Sequence, residues 1–168
     1  MRTFIRRASA CAIAAALSTL AAQPALALGE RPIVRFDAAP GAVVLARDGV
    51  AGRIVVDPND DPAVRHAAAS LQDDIARVSG ARPALLPALP AAGAAAGKSA
   101  GQGDLVLVGT LGKSALIDRL AREGRIDAAS IRGKWEGYLV QTVRNPLPGV
   151  ARALVIAGSD RRGAVFGV

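Results

Sequence analysis

The sequence predicts an α/β (α+β) domain in which a layered mixed β-sheet is packed against helices. Residues 153–157 are continuously apolar and rich in β-branched side chains, which is typical of a strand buried on both faces, and 104–108 resemble them. Residues 62–79 instead place apolar side chains at helical spacing. Buried strands that alternate with amphipathic helices are typical of a sheet covered by helices.

Two helices are well marked before the last strand. The first follows Asp61, a residue type that caps helices, and Pro62, which suits the first helical position. Gly80 ends it, and a second helix is predicted from Lys113 to Glu123. The inward faces are predicted to be Val64, Ala67, Ala68, Leu71, Ile75 and Val78 in the first helix and Leu116, Ile117 and Leu120 in the second.

Four further strands are expected, at 42–46, 52–56, 83–86 and 137–143. A turn is expected at Gly49, and a loop over 130–135. Residues 145–149 are predicted to form a turn that cannot pair, because its two prolines lack an N–H donor. The alanine- and glycine-rich stretch 91–103 buries too little to offset its ordering entropy, so it is predicted to be a mobile surface insertion.

The first 27 residues have the features of a secretory signal peptide. Three arginines precede an apolar stretch over 10–22, and Ala25-Leu26-Ala27 supplies the small residues that signal peptidase requires. The stretch is shorter than the roughly 20 apolar residues of a membrane span. We therefore predict cleavage near Ala27, export to the periplasm or outside the cell, and no membrane attachment of the mature form. An extended lead-in over 28–41 then precedes an α/β domain over 42–168.

The composition argues against several classes of function. Residues 1–27 carry three arginines and no acidic residue, so their removal lowers the formal net charge from +7 to +4. The remaining charges are mixed and lack the basic and aromatic interleaving of nucleic-acid binding proteins, so no nucleic-acid partner is expected. The single cysteine, Cys11, lies in the predicted signal peptide, so the mature chain is expected to fold without a disulfide.

Two Gly-Lys-Ser segments raise the possibility of phosphate binding. In GTLGKS (109–114), however, the first glycine of a phosphate-binding loop would have to stand at position 107, which is Leu107. The second segment, 97–99, also misses the spacing, because the required position is Ala92. We interpret the first as a glycine turn that lets a helix pack close to its strand, and we expect no cofactor.

Metal binding and carboxylate pairs are equally poorly supported. His66 is the only histidine and is predicted to be a surface residue, so a histidine-based zinc site or a Ser-His-Asp triad is not expected. The neighbouring pairs Asp60-Asp61 and Asp73-Asp74 are interpreted as a capping pair and a solvated helix face, because adjacent helical residues do not face each other.

The polar cluster in SDRRG (159–163) is the strongest candidate for a binding or interdomain site. It follows a buried strand and opens a helix, at the edge where α/β sheets place ligands. The simpler interpretation is favoured: Asp160 caps the helix, and Arg161 and Arg162 pair with a neighbouring domain. Trp135 beside Glu136 is a further candidate, since sugars stack on indole rings.

The last helix is expected to point Ala164, Val165 and Val168 inward. No glycine, proline or basic turn marks its end, so the chain is interpreted as the front part of a longer protein, truncated in this helix.

Three ordered segments, GTLGKS (109–114), RGKWE (132–136) and ALVIAGSDRRG (153–163), carry a family resemblance that extends over most of 52–168. They resemble the N-terminal domain of glycoside hydrolase family 115, the xylan α-1,2-glucuronidases. The chain departs from that pattern in the longer insertion at 91–103 and in Phe166, where a tyrosine is usual.

The resemblance implies an accessory α/β domain like the one that precedes the barrel in β-hexosaminidases. It implies that a (β/α)8 barrel of the same polypeptide supplies both catalytic carboxyl groups, so no catalytic residue is assigned here. The parent enzyme would remove glucuronic or 4-O-methylglucuronic acid from glucuronoxylan, and this chain alone would be inactive. The alternatives are a free-standing carbohydrate- or partner-binding module and a nucleotide-binding domain.

Overall fold

The computed structural model divides the chain into two compact units, Met1–Ala38 and Ala39–Val168. It describes residues 34–37, 39–89 and 104–168. The described residues of the first unit form neither helix nor strand. The predicted signal peptide, half of the lead-in and the 91–103 insertion therefore lie outside the described residues.

The second unit contains the predicted α/β fold. Its strands are β1 Ala46–Arg47, β2 Val50–Ala51, β3 Arg53–Val56, β4 Ala84–Leu86, β5 Leu105–Thr110, β6 Tyr138–Leu147 and β7 Val150–Gly158. Its helices are α1 Pro62–Ser79, α2 Ala115–Arg122 and α3 Arg161–Gly167, with a short 3₁₀ helix at Ala128–Ser130.

Five strands form one mixed sheet in the order β4-β3-β5-β7-β6. The first four are parallel, and β6 pairs antiparallel with β7 at one edge. The central pair runs in register from Leu105 opposite Ala153 to Thr110 opposite Gly158. All six residues of β5 are buried, as its apolar sequence predicts.

Helices cover both faces of this sheet. On one face, Val64 and Ala68 of α1 and Ala164 of α3 pack on alternate residues of β3, β5 and β7. On the other face, Ile117 and Leu120 of α2 pack on the intervening residues of the same strands. The period-two alternation of a strand therefore divides its apolar side chains between two cores.

The prediction of a strand at 42–46 is wrong. Only Ala46–Arg47 is extended, and it pairs with Val50–Ala51 in a small separate hairpin whose turn includes the predicted Gly49. The backbone of Val44 bonds Asp104 instead, donating to its carboxylate (3.0 Å) and accepting from its N–H (3.0 Å). Those bonds use the groups that a longer strand would need for its ladder.

The turn expected at 145–149 is shorter than predicted. Strand β6 continues to Leu147, which pairs with Val150, and the turn between the two strands is only Pro148–Gly149. The register breaks between Arg144 and Leu147, so Pro146 lies in an irregularity of an edge strand. Such a site tolerates a residue without an N–H donor.

Both long helices largely match their predicted faces. Val64, Ala68 and Ile75 of α1 are buried, but Val78, expected inside, is 68% exposed. Val78 lies in the last turn of α1, about 60° around the helix axis from Ile75, at the margin of the apolar face.

Candidate functional site

Two junctions between a central strand and the following helix lie side by side at the carboxyl edge of the sheet. The β5–α2 junction comprises residues 109–114, and the β7–α3 junction comprises residues 158–163. Their strands are hydrogen-bonded neighbours, and Leu111 N–H donates to Gly158 C=O (2.9 Å). The carboxyl edge of an open α/β sheet is where ligands usually bind, so each junction is a candidate site.

Asp60 closes the β5–α2 junction from the side of β3. Its side chain is 1% exposed and accepts the N–H of Thr110 (2.7 Å) and the N–H of Asp61 (2.8 Å). The interpretation of Asp60 and Asp61 as a capping pair is therefore half wrong: Asp61 caps α1 by accepting Ala63 N–H (2.9 Å), whereas Asp60 anchors β5. No local sequence signal separates these two neighbours, because the partner of Asp60 is 50 residues away.

Carboxylates of the chain occupy donors of the β5–α2 junction that a phosphate would need. Asp57 accepts Ala115 N–H (3.0 Å), and Asp118 accepts Gly112 N–H (2.8 Å). A Cβ built on Gly109 would lie 2.6 Å from Ser114 Cβ, so this glycine lets α2 pack against its own strand. This arrangement confirms the interpretation of GTLGKS as a packing turn; the second Gly-Lys-Ser lies outside the described residues.

Asp160 is the centre of the β7–α3 junction. As predicted, it caps α3, accepting Gly163 N–H (2.8 Å), and its second oxygen accepts Glu136 N–H (2.9 Å). The N–H of Gly163 and then that of Glu136 hold the pKa of the Asp160 carboxyl below its usual value. Asp160 is therefore a carboxylate at neutral pH, suited to holding backbone and unsuited to donating a proton.

Ser159 fixes the segment 131–137, here called the Trp135 loop. Its Oγ lies 2.6 Å from Lys134 C=O and 3.0 Å from Gly137 C=O, and its N–H donates to Gly137 C=O (2.8 Å). Gly163 also approaches closely, because a Cβ there would overlap the Gly137 carbonyl. The loop is thus held against the start of α3 by both side-chain and backbone contacts.

The Trp135 loop has an unusual backbone and an exposed aromatic side chain. Glu136 has a φ of 54°, in the left-handed region that non-glycine residues seldom adopt. Its carboxylate binds Arg162 Nε (2.9 Å), and the Arg162 guanidinium lies 5.7 Å from the centre of the Phe166 ring. Trp135 itself is 79% exposed.

The structure therefore brings three of the four predicted site residues, Asp160, Arg162 and Trp135, into one connected group. Arg161 points elsewhere, with its guanidinium 3.9 Å from the carboxylate of Asp61, at the start of α1. Sequence reasoning missed Ser159 as the residue that binds the loop. Its position one residue before a cap gave no sign of its partners, which lie 22 and 25 residues away.

The other candidates lie on the surface. His66 is exposed, as predicted, and so are Asp73 and Asp74. Within the part of the chain that the structure describes, no group of three or more metal-ligating side chains is found. Over the same residues, no helix has both the length and the apolar character that crossing a bilayer requires.

Fold and site together define an α/β domain whose carboxyl edge holds internally bonded carboxylates and one exposed aromatic loop. No protein-family model and no curated protein matches the sequence. Among solved structures, the fold is similar to part of a protein described as a family GH115 4-O-methyl-α-glucuronidase with specificity for decorated arabinogalactans. The TM-score is 0.50 at 23% identity, over 69% of this chain. The match spans 12% of the length of that protein.

Proposed function

We propose that this α/β unit is the non-catalytic N-terminal domain of an exported glycoside hydrolase that removes glucuronic or 4-O-methylglucuronic acid side groups from xylan. The observation that supports this most is the fold similarity to a segment of a GH115 glucuronidase. The resemblance of GTLGKS, RGKWE and ALVIAGSDRRG to that family, noted from the sequence, points the same way.

The chemistry of the site favours a supporting role over a catalytic one. Hydrolysis of a glycoside needs two carboxyl groups facing the scissile bond, and the acid needs a raised pKa. Here the pKa of Asp160 is lowered by backbone N–H donors, and Glu136 is paired with Arg162. Neither carboxyl is placed to protonate a leaving group.

The first test is the activity of the 168-residue chain alone. Incubation with glucuronoxylan and with decorated arabinogalactan should release no free uronic acid, measured by anion-exchange chromatography. Release of glucuronic acid that survives purification and is lost in Asp160→Asn would refute the supporting role.

The second test asks whether this unit can functionally replace the segment of the GH115 glucuronidase to which its fold is similar. Residues 39–168 replace the matching segment of the solved GH115 glucuronidase, and the chimera should release 4-O-methylglucuronic acid within about tenfold of the parent rate. The control chimera carries Gly163→Val, which should disrupt the β7–α3 junction and lower both melting temperature and activity. A folded but inactive chimera would contradict the proposal.

The alternative is a free-standing carbohydrate-binding module, and the exposed Trp135 is the observation that favours it. It predicts that Trp135→Ala abolishes binding of the 168-residue chain to acidic xylo-oligosaccharides in calorimetric titration. The proposed function predicts no measurable binding by either form.

A further inference from the structure

The Trp135 loop presents an apolar surface that is continuous with α3. Three of the large apolar side chains that are exposed among the described residues, Trp135, Tyr138 and Phe166, belong to it. Glu136, next to Trp135, binds Arg162, which lies over Phe166. Tyr138 contacts the same helix, because a Cβ built on Gly167 would lie 3.2 Å from its ring. We call Trp135, Tyr138, Phe166 and Arg162 the aromatic face.

We propose that the aromatic face is the docking surface for an acidic, partly apolar surface of another protein domain. If the proposed function is right, that domain is the catalytic domain of the same glycoside hydrolase. Tryptophan, tyrosine and arginine are the residues most enriched at the energetic centres of protein interfaces.

The loop that carries Trp135 is held in one conformation by several hydrogen bonds, which favours a docking role. The left-handed Glu136 is held in place by Asp160, and Ser159 fixes the residues on either side of the Trp135-Glu136 pair. A strained backbone that persists needs surrounding contacts to hold it, and such sites often serve binding. An exposed indole on a pre-formed loop loses little conformational entropy when it is buried.

The charges around the aromatic face specify the partner. Lys134 and Arg162 are exposed there, and Arg132 is exposed in the same loop; among the described residues Arg132 and Lys134 make no ion pair. The carboxylates of Glu136 and Asp160 are half-buried and bonded within the domain. The exposed charge is therefore positive, which matches a negative partner surface and disfavours a second copy of the same face.

The polar groups near the aromatic face favour a protein over a polysaccharide as its binding partner. Sugar recognition needs side chains that remain available for the hydroxyl groups. Here Ser159, Asp160, Glu136 and Arg162 already bond one another or the loop backbone. Two depressions of the described surface lie beside the β6–β7 turn and beside the 3₁₀ helix, and none of the four residues of the aromatic face lines either of them.

Hydroxyl-radical footprinting read by mass spectrometry tests this surface directly. Oxidation of Trp135 and Phe166 is compared between the 168-residue chain and the chimera defined above. Both rates should fall about tenfold in the chimera, because burial at a standard interface removes most solvent access. The exposed His66 of α1 serves as the internal control and should react equally in both proteins.

A second measurement does not depend on the chimera. The chain has one tryptophan, so labelling with 5-fluorotryptophan gives a single ¹⁹F resonance that reports on Trp135. Addition of the GH115 glucuronidase that lacks its matching segment should shift or broaden this resonance. Lys134→Glu, in the Trp135 loop, should weaken the response about tenfold. Arg77→Glu reverses an exposed basic residue on α1, away from the aromatic face, and is the control that should leave the response unchanged.

The outcomes separate the docking surface from the proposed function. Trp135 that stays reactive in an active chimera overturns the docking surface and leaves the function in place. If Trp135 is protected in a chimera that is folded but inactive, the docking surface stands and the proposed function is overturned. A ¹⁹F response to glucuronoxylan alone would identify a polysaccharide site, and a response to chain concentration would identify self-association. Either result, or no response in both measurements, overturns the proposal.

Discussion

The β5–α2 and β7–α3 junctions begin from similar sequences and end in different structures. Each is a buried strand that reaches glycine and then a capping residue, Ser114 or Asp160, at the start of a helix. At the first junction, Asp57 and Asp60 from the segment before α1, together with Asp118 of α2, bind backbone donors of the turn and the helix start. At the second, the cap carboxylate binds the helix with one oxygen and a distant surface loop with the other.

The difference lies in where the carboxylates come from and where they point. Asp60 is buried and bonds inward to the sheet, so the β5–α2 junction, called the inward junction below, is a structural element. Asp160 is half-buried and bonds outward to the Trp135 loop, so the β7–α3 junction, called the outward junction below, supports a surface loop. In this domain, the carboxylate at one junction holds the sheet together through Thr110, whereas the carboxylate at the other holds a surface loop through Glu136.

The largest effect is expected from Asp60→Ala, which breaks the inward junction. It leaves the N–H groups of Thr110 and Asp61 without their acceptor, at a cost of about 2 kcal/mol each. The free energy of unfolding from urea titration should fall by about 4 kcal/mol. Asp57→Ala, which removes a partly solvated acceptor of α2, should cost only about 1 kcal/mol. Equal losses would contradict the contrast between the two carboxylates.

Gly163→Ala should strongly destabilise the β7–α3 junction. The added methyl group would overlap the carbonyl of Gly137, so the helix or the Trp135 loop must move, at a cost of about 3 kcal/mol. Gly133→Ala is the control, since the space beside Gly133 is open and only its left-handed backbone resists, by about 1 kcal/mol. Thermal unfolding monitored by circular dichroism measures both; a harmless Gly163→Ala would mean that the loop is not held closely.

Acid should weaken the outward junction through Asp160. Because Gly163 and Glu136 N–H groups lower its folded pKa, the ionised carboxylate stabilises the fold above the unfolded pKa. That contribution is lost as pH falls from about 4 through the folded pKa. Urea titrations should show the native chain more stable than Asp160→Asn at pH 7, with the difference closing towards pH 2. A difference that stays constant with pH would exclude this linkage.

The smallest effect is expected from Thr110→Val, inside the inward junction. Within the described residues, Thr110 Oγ1 is buried and has no hydrogen-bond partner, so an isosteric methyl group removes an unsatisfied polar atom. The free energy of unfolding should change by less than about 0.5 kcal/mol, or rise. Thr110→Ala also removes a buried methyl group and should cost about 1 kcal/mol. A large loss in Thr110→Val would show that the hydroxyl has a partner.

The sheet and its helices could be predicted because their signals are local. The apolar runs that became β5 and β7, and the spacing of Val64, Ala68 and Ile75, report burial directly. The caps at Asp61 and Asp160 were equally readable, since a capping side chain bonds an N–H two or three residues away.

The parts that could not be predicted depend on partners far along the chain. Asp104, 60 residues further along the chain, forms hydrogen bonds with the N–H and C=O groups of Val44, so these groups are not free to pair in the expected first strand. Asp60 reaches Thr110 across 50 residues, and Ser159 reaches Lys134 across 25. The left-handed Glu136 follows from those contacts, because the loop must pass both Ser159 and Gly163.

The irregular end of β6 governs how the sheet meets other proteins. Asn145 has a φ of 46°, Pro146 has no N–H to offer, and Arg125 donates to the carbonyls of Arg144 and Asn145. An incoming strand would find neither a continuous row of donors nor free acceptors along this part of the edge. This end of the sheet edge therefore resists pairing with a strand of another molecule.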